Sequence, residues 1–229
     1  MKPIMTIFFV ISGSVALCQC NQYFTIKEGV KSTYGFYNAK NKLVSKSVNE
    51  FKNVNESGEN LKATLLTQLV DTNKGDLISS SESDWTCEAG VIRFTMNAMS
   101  IQGTEMNTPG IDVKVEGDEM DIPSDLTPGE TLNDVNYHIK MTVSGINMMD
   151  RDFFISNRKV EKEESITTPA GTFSCIKISY TTESSGKSGG MSKPLFTSVW
   201  YSRGVGMVKV EYYKDNKLSG SQILEKIEK

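Results

Sequence analysis

Histidine occurs once in this chain, so any Ser-His-Asp chemistry would have to pass through His138, the sole imidazole able to take a serine proton near neutral pH. His138 sits between Tyr137 and Ile139 in an alternating stretch, which reads as a strand histidine facing solvent. A nucleophile elbow, a Gly-x-Ser-x-Gly turn leading from a strand into a helix, is not legible. Gly186-Lys187-Ser188 is no phosphate loop either: the glycine required five residues earlier is Thr181, and no helix follows to aim its dipole at a phosphate. Gly204-Val205-Gly206 is too short for a dinucleotide fingerprint and reads as a bend or bulge. The expectation is a protein without an active site.

Metal chemistry is poorly supplied. Cys20, Cys87 and Cys175 lack the paired spacing of a zinc site, and one histidine cannot build a histidine-rich one. Glu116, Asp118, Glu119, Asp121, Asp125, Glu130 and Asp134 form an acidic stretch containing no Lys or Arg, but without the fixed spacing of a calcium loop. It reads as a solvated hairpin and loop, with a weak cation site as the alternative. Methionine is the compositional oddity: nine of the 11 fall between Met96 and Met207. Thioethers fill irregular cores and line adaptable apolar grooves. Core filling is the first reading, and Met96, Met99, Met120, Met141 and Met148 are the candidates for a groove. A copper(I) site through Met96 and Met99 is the sharper alternative. No cofactor is implied.

The elements that would position these residues are strands. The chain has 229 residues, 38% apolar and 23% charged, enough to bury a core in one sizeable domain. Its net charge of −3, with dispersed Lys and Arg, argues against nucleic acid as a partner. Lys2 followed by the apolar run Ile4–Leu17 is too short to span a bilayer and reads as a signal peptide over 1–18, cleaved after Cys18 to leave one β-rich domain over 19–229. Lipid attachment at Cys18 or Cys20 is the rival; Leu17 and Gln19, the residues just before them, are poor choices for it. An exported, periplasmic or extracellular chain permits disulfides, and Cys87 with Cys175, both in strand-like sequence, is the expected pair; two buried free thiols are the alternative.

Turn chemistry then organises the chain. Residues 37–43, 70–77 and 213–218 each run from a β-former through Asn, Asp or Gly into Leu, and predict three hairpins of one design. Val113–Pro123 predicts a fourth, turning at Gly117-Asp118. Leu61–Val70 has helical spacing but β-branched Thr64 and Thr67 and extended neighbours, which predict a strand. Thr95–Ile101 is the best candidate for a short helix. Segments 184–190 and 104–110 read as loops. About a dozen strands on short turns predict an all-β, mainly antiparallel fold: a strongly curved sheet or partly closed barrel, with two halves meeting near 110–130 as the alternative.

Thr168-Pro169-Ala170-Gly171-Thr172-Phe173 with Cys175 after it, Trp200-Tyr201 leading into Gly204-Val205-Gly206-Met207-Val208-Lys209, and the early Tyr23-Phe24 and Lys27-Glu28-Gly29 resemble a TapB-like family of exported bacterial proteins of unknown function. The resemblance implies an envelope location and a curved, barrel-like fold, and carries over no catalytic residue. Three functions compete: an envelope protein binding a lipid or other apolar or amphipathic ligand, or a partner protein, on its curved sheet; an interaction module with a filled core; and a hydrolase using His138. The discriminating observation is whether the interior holds a concave cavity.

Overall fold

The computed structural model describes residues 20–58, 60–72, 75–96, 111–186 and 191–228. The expected signal peptide, Met99, the expected loop at 104–110 and all of the expected 95–101 helix except Thr95 and Met96 lie outside them. The described chain is almost entirely antiparallel sheet: β1 (Lys31–Asn38), β2 (Leu43–Ser57), β3 (Asn60–Val70), β4 (Leu77–Glu88), β5 (Val91–Phe94), β6 (Ile111–Gly117), β7 (Met120–Pro123), β8 (Val135–Val143), β9 (Ile146–Thr168), β10 (Gly171–Gly186), β11 (Leu195–Ser202), β12 (Gly206–Lys214) and β13 (Lys217–Glu228). They form one 13-stranded sheet in the order β6-β8-β9-β10-β11-β12-β13-β1-β2-β3-β4-β5-β7, curled into a half-barrel.

The three Asn/Asp/Gly hairpins form as their composition requires, joining β1 to β2, β3 to β4, and β12 to β13. Asn41, Asp215 and Asn216 take the positive φ such turns demand. Leu61–Val70 is a strand, because its apolar residues find partners on both sides, β2 and β4. Gly204 and Gly206, both at positive φ, make the β11–β12 turn, beside a bulge between Trp200 and Tyr201.

Val113–Pro123 does not form the expected hairpin. The chain does turn at Gly117-Asp118, but β6 pairs with β8 and β7 pairs with β5, at opposite edges of the sheet. Two residues, Asp118 and Glu119, carry the chain from one edge to the other, so the edges stand within about 11 Å of each other there. A two-residue link is thus equally compatible with a hairpin and with the seam of a curled sheet; only the neighbours available to β6 and β7 decide. Gly117 makes the step, with φ of +123° and its α-carbon so close to β8 that an added Cβ would lie 2.5 Å from the Asn136 carbonyl oxygen. Asp118 then binds Asn136 twice, through its amide to the carbonyl and its carboxylate to the amide. Gly117→Ala should cost about 1–3 kcal/mol in a urea melt, from the disfavoured φ and the collision with backbone; an unchanged midpoint would contradict the seam geometry.

The seam is latched from the side. Segment 124–134 crosses from β7 to β8 and bonds to β9 on the way: the Leu132 amide to the Arg158 carbonyl, the Gly129 amide to the Val160 carbonyl, and the Val160 amide to the Glu130 carbonyl. Arg158, only 1% exposed, donates to the Asp121 carboxylate, to the Asp121 carbonyl and to the Asn133 carbonyl. Asp121, read as part of a solvated acidic stretch, is the counter-ion of a buried guanidinium.

One large apolar cluster lines the concave face, including Tyr23, Trp85, Ile92, Ile139, Ile178, Val199 and Leu224. Cys175, Trp200 and Val208 form a small cluster of opposite strand parity, on the convex face. There Trp200 donates to the Glu164 carboxylate at 2.8 Å, which holds that carboxyl below its usual pKa, and the Lys177 and Lys209 ammonium groups lie 5.1 and 5.2 Å from the indole centroid.

The expected Cys87–Cys175 bridge is overturned. Cys87 belongs to the concave core on β4 and Cys175 to the convex cluster on β10, with six strands between them, far beyond the reach of a disulfide. Cys87 instead bonds Cys20, with Cα atoms 6.0 Å apart, and Cys175 is a buried free thiol. The bridge anchors an arm, residues 20–30, across the end of the half-barrel where the β4–β5 and β11–β12 turns lie. Tyr23 and Ile26 are buried beneath it, Asn21 donates to the carbonyls of Gly90 and Ile122, and Thr25 donates to that of Gly204.

Candidate ligand cavity

The curl of the sheet encloses a cavity of about 1190 Å³, bounded by the arm at one end and partly open where the β1–β2, β3–β4 and β12–β13 hairpins end. Strand alternation sends every second residue inward, and the inward residues change character along the axis. At the arm end they are aromatic. Trp85 stacks on Phe94 with centroids 4.3 Å apart, and takes Phe24 and Phe51 edge-on at 5.3 Å each; Tyr201 lies 5.6 Å from Phe24. Gly206 leaves room for the Phe24 ring, which would lie 3.1 Å from an added Cβ.

Further up, the lining turns polar but remains uncharged. Ser45, Ser47 and Asn49 on β2 and Ser79, Ser81 and Ser83 on β4 alternate with outward residues; Thr67 lies between Asn49 and Ser81 on β3, and Thr182, Thr197 and Ser221 add to the lining from β10, β11 and β13. Ser47 and Thr197 are each only 1% exposed. Among the described residues, neither the Ser47 hydroxyl oxygen nor the Asn49 side-chain carbonyl has a hydrogen-bond partner, although both are buried. Leaving such a group unmet costs about 1–3 kcal/mol; the other serine and threonine hydroxyls of the belt, which donate and accept, suit a guest that brings hydroxyls or carbonyls.

Tyrosines stand between floor and belt. Burial raises the phenol pKa of Tyr34, Tyr180 and Tyr201 and pushes that of Tyr212 to about 12, so all four remain neutral donors at physiological pH. The Tyr34 hydroxyl spends its proton on the Met207 carbonyl at 2.9 Å. Lys214, at the mouth, is the sole ionisable Lys, Arg, Asp or Glu among the lining residues described.

The methionines expected to form a groove are dispersed. Met96 lines the cavity; Met120 is buried in the core; Met141 is half-buried, opposite Met149 on the β8–β9 pair; Met148 is 62% exposed beside a hairpin tip; Met99 lies outside the described residues. Met207 is the other lining methionine. The groove is therefore built of aromatics and hydroxyls, and the signal for it was the Ser-x-Ser alternation of β2 and β4 running into Phe51 and Trp85. Read for solvent exposure, that alternation looks like an outer face; curvature puts it inside.

His138 alternates with the buried Tyr137 and Ile139 and projects from the opposite face, between Asp152 at 2.8 Å and Asp150 at 3.3 Å. It does not line the cavity. Among the described residues no group of three or more His, Cys, Asp or Glu side chains is placed to hold a metal ion, and no helix is long and apolar enough to cross a membrane. Lys187 and Ser188 lie outside the described residues.

This strand order and topology can be set beside known proteins. The DUF3108-like family model matches residues 27–224, nearly all of the described chain. The chain belongs to the DUF3108-like family. Within known structures its fold recurs in a candidate exported protein with a YmcC-like fold from Bacteroides fragilis, at 21% identity and a TM-score of 0.76, over 92% of this chain and 100% of that one. A candidate lipoprotein from Parabacteroides distasonis matches at 22% identity and 0.73, again over 92% and 100%. No curated protein matches. The DUF3108-like assignment supports the resemblance at the coarser level of the family and does not reach the narrower TapB-like name, and at these identities the two structures speak to the fold alone. In this DUF3108-like chain the Thr168–Phe173 and Gly204–Lys209 motifs that carried the resemblance are turn chemistry: the first closes the β9–β10 hairpin, the second the β11–β12 hairpin.

Proposed function

We propose that this is an exported, non-enzymatic binding protein that holds an uncharged amphipathic ligand in its concave cavity, the apolar part against the aromatic floor and the hydroxyl- or carbonyl-bearing part in the serine and threonine belt. One observation carries the reading: a cavity of about 1190 Å³ whose lining is apolar at one end, hydrogen-bonding at the other, and without an inward carboxylate or guanidinium. Burying an unpaired charge there would be costly, so a neutral head group suits the belt. Ligand sites of this kind are concave, mostly apolar and carry a few convergent polar groups. The apolar run at 4–17 supports export. A Cys20 sulfur engaged with Cys87 is not available for lipid attachment, which favours a non-lipidated chain over one lipidated there.

The chain has two tryptophans, and Trp200 on the convex face can be removed as a background signal. In a Trp200→Phe protein, titration with monoolein should shift Trp85 emission saturably, whereas ionised oleate should bind at least about tenfold more weakly, a difference near 1.4 kcal/mol. Ser81→Phe, which fills the belt, should weaken monoolein binding by a similar factor. Equal affinity for both amphiphiles, or no response of Trp85 to either, would defeat the reading.

A further inference from the structure

The apolar side chains that this fold leaves exposed are gathered at one end. Of the nine large hydrophobic residues exposed among the described ones, eight lie at or beside the hairpin ends and loop that surround the cavity mouth; Phe154, lower on the wall, is the exception. Val44 is 57% exposed, Leu77 56%, Ile146 67%, Met148 62%, Met191 57% and Leu218 40%. They come from five different connections, so they form a ring of separate prongs and not one continuous groove. Four exposed lysines stand among them on two adjoining tips: Lys40 and Lys42 between β1 and β2, and Lys214 and Lys217 flanking the β12–β13 turn. None of the four is in an ion pair among the described residues, whereas Asp215 is already taken by Lys193 at 3.0 Å. Asp71 and Asp76 belong to the β3–β4 tip, which adjoins the β1–β2 tip on its other side and carries the Leu77 and Ile78 prongs.

We infer that this rim is a docking face for an anionic lipid bilayer. Short apolar prongs interleaved with lysines suit a surface that is negative at the head groups and apolar just beneath: the hydrocarbon chains accept the prongs and the phosphates meet the ammonium groups. A folded protein partner would be better matched by a contiguous apolar patch with paired polar groups. Val44, Ile78 and Lys214 belong both to the rim and to the cavity lining, so docking would set the cavity mouth against the membrane. The inference rests on the exposed side chains and their charges and does not require the cavity to hold a ligand.

The test is cosedimentation of the mature protein with vesicles of phosphatidylcholine, pure or containing about one third phosphatidylglycerol. The expected result is salt-sensitive binding to the anionic vesicles only. Lys40→Glu/Lys42→Glu/Lys217→Glu should lower it by about tenfold or more, and Leu77→Asn/Leu218→Asn should leave only a weak association abolished by salt. None of these five residues lines the cavity, so the Trp85 titration should be unchanged in both variants, which separates failure here from failure of the ligand reading. Absence of binding, or equal binding to neutral and anionic vesicles, would overturn the proposal. So would a concentration-dependent dimer, broken by Leu77→Asn/Leu218→Asn, on protein that ignores vesicles: the rim would then be an interface between copies.

Discussion

Asp121→Ala should destabilise the protein by about 3–5 kcal/mol in urea denaturation, far more than the change of an ordinary partly exposed carboxylate. The reason lies with its partner. Asp121 keeps 20% of its side chain exposed and could rehydrate if left alone, but Arg158 is 1% exposed and cannot. Removing the carboxylate leaves a guanidinium in the core with only the Asp121 and Asn133 carbonyls to satisfy it. Arg158→Met in the same background should recover part of the loss, because it removes the stranded charge and keeps much of the volume. The pair also joins edge strand β7 to β9, so the damage should concentrate at the seam, with faster amide exchange in β6 and β7 before the rest of the sheet. If the double variant is no more stable than Asp121→Ala alone, the buried charge is not the source of the loss.

Loss of the Cys20–Cys87 bridge should cost about 4 kcal/mol, the loop-closure entropy for a cross-link over a separation of 67 residues. Cys20→Ser, Cys87→Ser and the double variant should all cost nearly the same, since each removes the same bond, and this near-identity is the signature to look for. The arm also supplies Phe24 to the cavity floor, so reduced protein should lose Trp85 environment and expose residues 20–30 to proteases before global unfolding. Cys175 should behave otherwise. Burial, with the Glu164 carboxylate nearby, pushes its thiol pKa up to about 11, so it should resist alkylation until the sheet opens. Rapid native labelling of Cys175, or a Cys87→Ser protein as stable as the parent, would contradict this assignment of bridge and thiol.

How much of this was legible beforehand differs from element to element. The hairpins at 37–43, 70–77 and 213–218 were readable because a tight turn is a local problem: two or three residues must reach positive φ, and Asn, Asp and Gly do so at low cost. The Leu61–Val70 strand was readable for a similar reason, β-branched threonines outweighing a helical leucine spacing. The Val113–Pro123 segment shows the limit. Its two strands and its turn were present in the residues, yet the same turn serves a hairpin or a step across a seam, and the choice depends on strands far away in the chain. The cysteines failed in the same way, since pairing depends on which face each strand presents and on how many strands intervene. The methionine groove failed because abundance says nothing about parity: Met120 and Met148 alternate into different surroundings.

Composition and the turn residues sufficed to establish an all-β chain of about a dozen strands, because these properties depend on neighbours within a few positions. Curvature did the rest. By curling one sheet until its edges came within a two-residue link of each other, it placed Ser-x-Ser alternations inside, paired Asp121 with Arg158, carried the arm to Cys87 and gathered exposed apolar tips around one mouth. Each of those depends on contacts between residues tens of positions apart, whose free energy is set by burial in the assembled sheet and leaves no local trace in the order of the amino acids.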